Sequence, residues 1–187
     1  MRLALALLAA LPLSTAQAQS EETRTLELDG GAKVTYTLRL HPAGAHAAPG
    51  DPTPTSALNT AKLLNQHLAA GDLTEAALLS NAPRRRFEVL RDFQESVGAE
   101  EFKRVFAQYL SGENRLLAEI AIDRHRLLIW QLALEGKTEG MTSRVAGQYF
   151  VEIEGRYLID DVPNDVRTRL RWVLEAYRTG KIARPAP

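Results

Sequence analysis

The chain has no cysteine. No disulfide is available to it, so whatever compartment it occupies, its stability has to come from packing alone. Net charge is also lacking: 23 Lys and Arg balance 23 Asp and Glu. General electrostatic capture of nucleic acid or of an acidic membrane needs a clear basic excess, so neither is expected as a partner. Lysine is scarce beside arginine, and aromatics make up only 6% of the chain. No zinc-ligand spacing, phosphate loop, dinucleotide fingerprint or nucleophile elbow occurs, and no metal or cofactor is expected. Beyond the first residues no apolar run approaches the ~20 residues of a spanning helix.

The first residues have a pattern of their own. Arg2 is followed by the apolar run Leu3 to Leu13, and then by Ser14-Thr15-Ala16-Gln17-Ala18 with its A-x-A site. This is the layout of a secretory signal peptide, with cleavage expected after Ala18. No cysteine follows for a lipid anchor, so residues 1–18 predict a periplasmic or secreted chain with no membrane anchor. What remains is long enough to bury a core, since a domain near 150 residues buries about 70% of its unfolded surface.

Residues 19–40 read as a β-hairpin. Val34, Tyr36, Leu38 and Leu40 alternate with polar residues at a period of two, and Asp29-Gly30-Gly31 supplies the turn. Two strands alone bury too little, so this hairpin must lean on the main domain, lean on a partner, or remain mobile. Residues 41–56, HPAGAHAAPGDPTPTS, are proline- and glycine-rich and read as a linker. His41 and His46 lie there too far apart, and too poor in accompanying carboxylates, to suggest a metal site.

Helical spacing follows. Leu58, Ala61, Leu64 and Leu68 share one face after a Ser56 cap, and Gly71 stops that helix; Asp72 caps a second helix ending before Pro83. Phe87, Leu90, Phe93 and Val97 mark a third helix; Phe102, Val105, Phe106, Tyr109 and Leu110 mark a fourth. The period then changes to that of strands over 116–122, 127–134 and 143–162, with a glycine-bearing loop at 135–140. The chain finishes with a helix from Pro163-Asn164-Asp165 to Gly180 and a loose tail at 181–187. Helices followed by antiparallel strands predict an α+β domain over 57–180, with helices packed on a curved antiparallel sheet, an extra N-terminal hairpin and a C-terminal helix.

A two-residue turn at Glu154-Gly155 sets the register of the last hairpin: Glu152 opposite Tyr157, Val151 opposite Leu158, Phe150 opposite Ile159, Tyr149 opposite Asp160. Both of its faces are then apolar, where a sheet with one core face shows a polar side. The second face must be covered by the N-terminal hairpin, the C-terminal helix or another subunit.

The stretch NQHLAAGDLTEAALLSNA, residues 65–82, followed some distance later by QYFVEIEGRYLIDDV, resembles the nuclear-transport-factor-2-like (cystatin-like) superfamily. The likeness spans about 57–162. It rests on Gly71-Asp72 at the end of a helix and on Gly155-Arg156-Tyr157-Leu158-Ile159-Asp160 in the final hairpin, with Tyr157 where tryptophan is common. It implies a cone-shaped cavity between helices and sheet, and often a dimer through the outer sheet face. The superfamily holds isomerases, dehydratases and cyclases beside many non-enzymatic binding domains, so fold alone does not decide function.

The residues leave two readings. Tyr149 and Asp160 are the first catalytic candidates: a carboxylate in an apolar cavity serves as acid or base, and a tyrosine beside it donates to a carbonyl or enolate. Against this, Tyr149 fits the core and Asp160 a strand end. His67, at the edge of a helix stripe, is the third catalytic candidate, in a pair with Asp160. His125, in a charged DRHR turn, is expected in solvent. Trp130, Tyr157 and Trp172 are the candidate contact residues for a ligand or partner, although the strand parity of Trp130 also fits the core. Arg84-Arg85-Arg86 suggest an anion grip, but a helix start disfavours cations, and a solvated face or local ion pairs with Glu88 and Asp92 account for them more simply. The leading expectation is an exported, non-catalytic accessory domain that binds an envelope protein or a small ligand, either alone or as a homodimer. The alternative is a cofactor-independent isomerase or dehydratase acting through Tyr149 and Asp160.

Overall fold

Five helices and one six-stranded antiparallel sheet make up the structure, a computed structural model that describes residues 21–41, 53–138 and 141–182. Residues 1–18, where the signal peptide is expected, lie outside it, as do most of the linker including His46, and the tail beyond 182.

The sheet is an open meander. Its strands β1 (Glu21–Glu27), β2 (Lys33–Leu40), β3 (Arg115–Ile122), β4 (His125–Thr138), β5 (Met141–Ile153) and β6 (Arg156–Ile159) pair in chain order, each antiparallel to the next. The first two form the hairpin that the period-two alternation predicts. Val34, Tyr36 and Leu38 are buried, while Lys33 and Thr35 on the opposite side are not. This hairpin does not pack over the domain as a separate layer. It extends the sheet sideways, with Leu40 of β2 opposite Ala118 of β3, and His41 continues the pairing by donating its backbone N–H to Leu117 O at 3.0 Å. His41 is therefore a buried residue at the end of a strand rather than part of a solvated linker.

The last hairpin has the register set by the turn. Phe150 faces Ile159, Val151 faces Leu158 and Glu152 faces Tyr157, while Asp160 donates its N–H to Tyr149 O at 2.9 Å. Glu154 and Gly155 both have positive φ, 51° and 75°; this is the primed turn whose twist matches that of paired strands. Strands β4 and β5 run further than their apolar patterns suggest, through residues 135–138 on one side and from 141 on the other. The glycines expected to open a loop there leave only 139–140 between the strands.

Helices cover both faces of the sheet. On one lie α1 (Ala57–Ala70), α2 (Leu73–Leu78), α3 (Pro83–Val97) and α4 (Ala99–Ala107), the last continuing into a 3-10 turn at Gln108–Leu110. Local chemistry places their ends. Ser56 Oγ accepts from Asn59 N at 3.2 Å, Gly71 turns left-handed at φ 80°, and Asp72 Oδ1 accepts from Glu75 N at 3.2 Å. Leu64, Leu68, Leu90 and Phe102 from these helices enclose a core with Leu128, Trp130, Leu132, Phe150 and Ile159 of the sheet.

The other face is covered by α5 (Asp165–Arg178), whose Leu170, Val173, Leu174 and Tyr177 meet Leu127, Ile129, Ile120 and the hairpin residues Val34, Tyr36 and Leu38. Of the three covers open to that face, the C-terminal helix is the one in place. A β-bulge in β3, between Leu116 and Ala118, exchanges the faces of that strand. Leu116 belongs to the first core, whereas Ala118 and Ile120 belong to the second.

Gly147 of β5 sets how closely α5 lies on the sheet. A Cβ at that position would stand 2.6 Å from Leu174 Cδ2 and 2.9 Å from Leu127 Cδ1, both within a closed core. Gly147→Ala is expected to destabilise the chain by about 1–3 kcal/mol, the usual range for overpacking. Urea unfolding measures it; an unchanged midpoint would mean that α5 can lift without loss.

Candidate functional site

The residues between α2 and α3, those after β6 and the start of α5 converge on one polar cluster. Asp160 lies at its centre and is 1% exposed. Its Oδ2 is 3.0 Å from His125 Nδ1. Asn81 Nδ2 donates to its Oδ1 at 3.0 Å, and Asn164 Nδ2 donates to its Oδ2 at 3.0 Å. The neighbouring carboxylate takes the opposite side, as alternation along an extended chain requires. Asp161 Oδ2 accepts from Ser80 Oγ at 2.6 Å and pairs with Arg86 Nε at 2.9 Å. Asn81 closes the loop by accepting Asp161 N–H at 2.8 Å. Asn164 has a second duty as the N-cap of α5, accepting Arg167 N–H at 2.7 Å.

His125 corrects the sequence expectation. It opens β4 in register with Val151 and is only 7% exposed. The turn before it, at Asp123-Arg124, holds the solvated charges. Parity could have found this, because His125, Leu127 and Ile129 share one strand face and the latter two are plainly core. His67 does not meet Asp160; its Nδ1 stands 3.7 Å from Asp72 Oδ2 at the end of its own helix.

Tyr149 is half-buried on the α5 face, with the Arg167 guanidinium 5.5 Å from its ring centroid. Burial pushes its phenol up, against the pull of Arg171, Arg178 and Arg167. It therefore stays protonated at neutral pH, as a donor. Arg167 is thus partly covered. Trp130 is core, and its indole N–H donates to Gln148 Oε1 at 2.9 Å. Tyr157 lies under Arg126, 5.6 Å from ring centroid to guanidinium, and joins the start of α1 to β6 by accepting from Thr60 Oγ1 at 2.7 Å through its backbone carbonyl. Trp172 projects from α5 at 44% exposure.

Two clefts border the polar cluster. One, of about 260 Å³, lies between α1, α3 and the edge of β5. Leu68, Leu90, Phe106 and Ile159 give it an apolar wall, and Asn65, Gln148, Tyr149 and Asp160 also border it. The other, of about 310 Å³, separates the start of α3 from the start of α5 and is lined by Arg85, Arg86, Arg167 and Arg171 with Val89, Asn164 and Thr168. Arg86, Asp161 and Arg167 line both. Among the described residues no group of three or more His, Asp or Glu side chains is placed to hold a metal ion, and no helix is long and apolar enough to cross a membrane.

Comparison with protein-family models, with curated proteins and with solved structures found no match to this chain.

Proposed function

We propose that the chain is an exported, non-catalytic accessory domain that binds a small ligand in the 260 Å³ cleft beside β5. The address rests on Arg2, the Leu3–Leu13 run and Ala16-Gln17-Ala18. The cleft is near the lower end of the volumes that hold small molecules, and has the expected make-up of an apolar wall with a few polar atoms. One observation carries the non-catalytic reading. Asp160, the carboxylate beside Tyr149, is 1% exposed and is already engaged by His125, Asn81 and Asn164. A general base needs a free lone pair facing its substrate, and every neighbour of Asp160 holds it in a structural role instead.

The likeness to the nuclear-transport-factor-2-like superfamily, with its cone-shaped cavity, belongs to the same proposal. It is supported by Gly71 and Asp72 capping adjoining helices and by the Glu154-Gly155 turn. The enzymatic reading has one observation on its side: Tyr149 and Asp160 both border the cleft.

Incubating the exported chain with a small-molecule cell extract, then recovering and weighing what it retains by mass spectrometry, separates the two. The expected result is one or more compounds enriched and chemically unchanged over hours. Time-dependent loss of a compound with the wild type, abolished in a folded Asp160→Asn variant, would establish the enzyme instead. Retention of nothing would remove the ligand-binding reading.

A further inference from the structure

We infer that the ligand of this domain is an amphipathic anion, with its carboxylate or phosphate held by Arg85, Arg86, Arg167 and Arg171 and its apolar body lying against Leu68, Leu90 and Phe106. This rests on the small-ligand reading above and names the chemistry of the ligand. The arginine cleft carries four guanidinium groups, and Asp161 is the one carboxylate on its wall. Asp161 is matched by Arg86 at 2.9 Å. Arg85, Arg167 and Arg171 form no ion pair among the described residues, although most arginines elsewhere on the chain do: Arg84 with Glu88, Arg91 with Asp92, Arg126 with Glu119, Arg169 with Asp123.

Three features leave this end of the fold short of negative charge. Like charges at Arg167 and Arg171, one turn apart on α5, repel. The run Arg84-Arg85-Arg86 stands in the first turn of α3, where the helix dipole disfavours cations. That first turn also lacks both a capping side chain and an acidic residue, so its backbone donors favour an anion as well. A bound oxyanion offsets all three, because guanidinium groups bind carboxylate and phosphate with two parallel hydrogen bonds.

The apolar half of the inference follows from adjacency. Arg86 and Arg167 line both clefts, so an acid group on these arginines directs whatever is attached to it toward the wall of Leu68, Leu90 and Phe106. A purely inorganic anion would leave the apolar cleft unused, and a neutral amphiphile would leave three guanidinium groups unmatched.

The probes are octanoate and octyl phosphate, each below its micelle-forming concentration, with acetate, inorganic phosphate and octanol as controls at equal ionic strength. Isothermal titration on the full chain reads the affinity. Expected is saturable binding of octanoate, octyl phosphate or both, with acetate, inorganic phosphate and octanol at least tenfold weaker. The two long-chain probes also tell a carboxylate from a phosphate preference. Arg85 and Arg171 are exposed and make no hydrogen bond among the described residues, so the double variant Arg85→Gln, Arg171→Gln should fold normally. It is expected to bind the octyl anion about tenfold more weakly, the effect of losing a charge-assisted hydrogen bond. Octanol binding as well as octanoate, or a double variant binding like the wild type, would overturn the inference. Failure of both octyl anions while the cell extract still yields a retained neutral compound would overturn the anionic class alone; failure of both experiments removes the ligand-binding reading itself.

Discussion

Asp160→Ala is expected to cost about 3–5 kcal/mol of folding stability, the range seen when one partner of a buried, hydrogen-bonded charge is removed. The loss comes less from the missing carboxylate than from what it leaves behind. The Asn81 and Asn164 amides lose their acceptor, and His125 Nδ1 loses its buried partner. His125 is buried and the two asparagines are half-buried, and a group left without a partner away from water costs about 1–3 kcal/mol. Small domains have only about 5–15 kcal/mol in total, so the variant should unfold at a clearly lower urea concentration than the wild type. Asp160→Asn is expected to cost less. It keeps an oxygen at Oδ1 for Asn81 and, at 3.3 Å, for Asn164, while the new amide nitrogen needs His125 Nδ1 as an acceptor and costs Asn164 its contact to Oδ2. Urea titrations followed by circular dichroism measure both variants. A double-mutant cycle with His125→Ala isolates the pair; its two single losses should not add. An alanine variant within 1 kcal/mol of wild type would mean that water replaces the carboxylate and that the cluster does not hold the fold together.

Phe102→Ala is expected to cost a similar amount, about 3–5 kcal/mol, for a different reason. Phe102 has no exposed surface. Its ring centroid lies 4.7 Å from that of Phe106 and 5.7 Å from that of Phe93, so it joins α3 to α4. Large-to-small changes of this kind lose both transfer free energy and the contacts around the cavity left behind. The effect should fall on global stability rather than on α4 alone, because that helix packs on α1 and α1 packs on the sheet. Thermal unfolding of this variant and of Leu170→Ala, on the opposite face, tests the shared sheet. Each is expected to show one cooperative transition at a lowered midpoint. A variant that lost the α1–α4 side while the α5 side stayed folded would show two transitions, and would mean that the two cores are separate folding units.

Much of the architecture was legible in local pattern. The alternation at Val34, Tyr36 and Leu38 marked a half-buried strand, and those residues are buried. Ser56, Gly71, Asp72 and Asn164 marked helix ends, because a cap is a contact between residues three or four apart. The doubly apolar last hairpin announced that both sheet faces would be covered. His125 was misread because the charges beside it in DRHR outweighed its parity with Leu127. The bulge at Leu117 was invisible because a one-residue slip leaves no mark on an apolar run.

The sequence by itself determined the elements, their order and the register of the last hairpin, since helix period, strand period and a two-residue turn are all written in near neighbours. Only the tertiary structure decided which polar residues meet. His125 and Asp160 are separated by 35 positions, Asn81 and Asp160 by 79, Ser80 and Asp161 by 81. The arginines at the start of α3 face those of α5 across a similar stretch of chain. Such meetings depend on how α1–α4 and α5 dock on opposite faces of one sheet. That docking comes from the apolar burial of Phe102, Trp130, Leu170 and Val173, which carries no record in any short segment of which polar groups it will bring together.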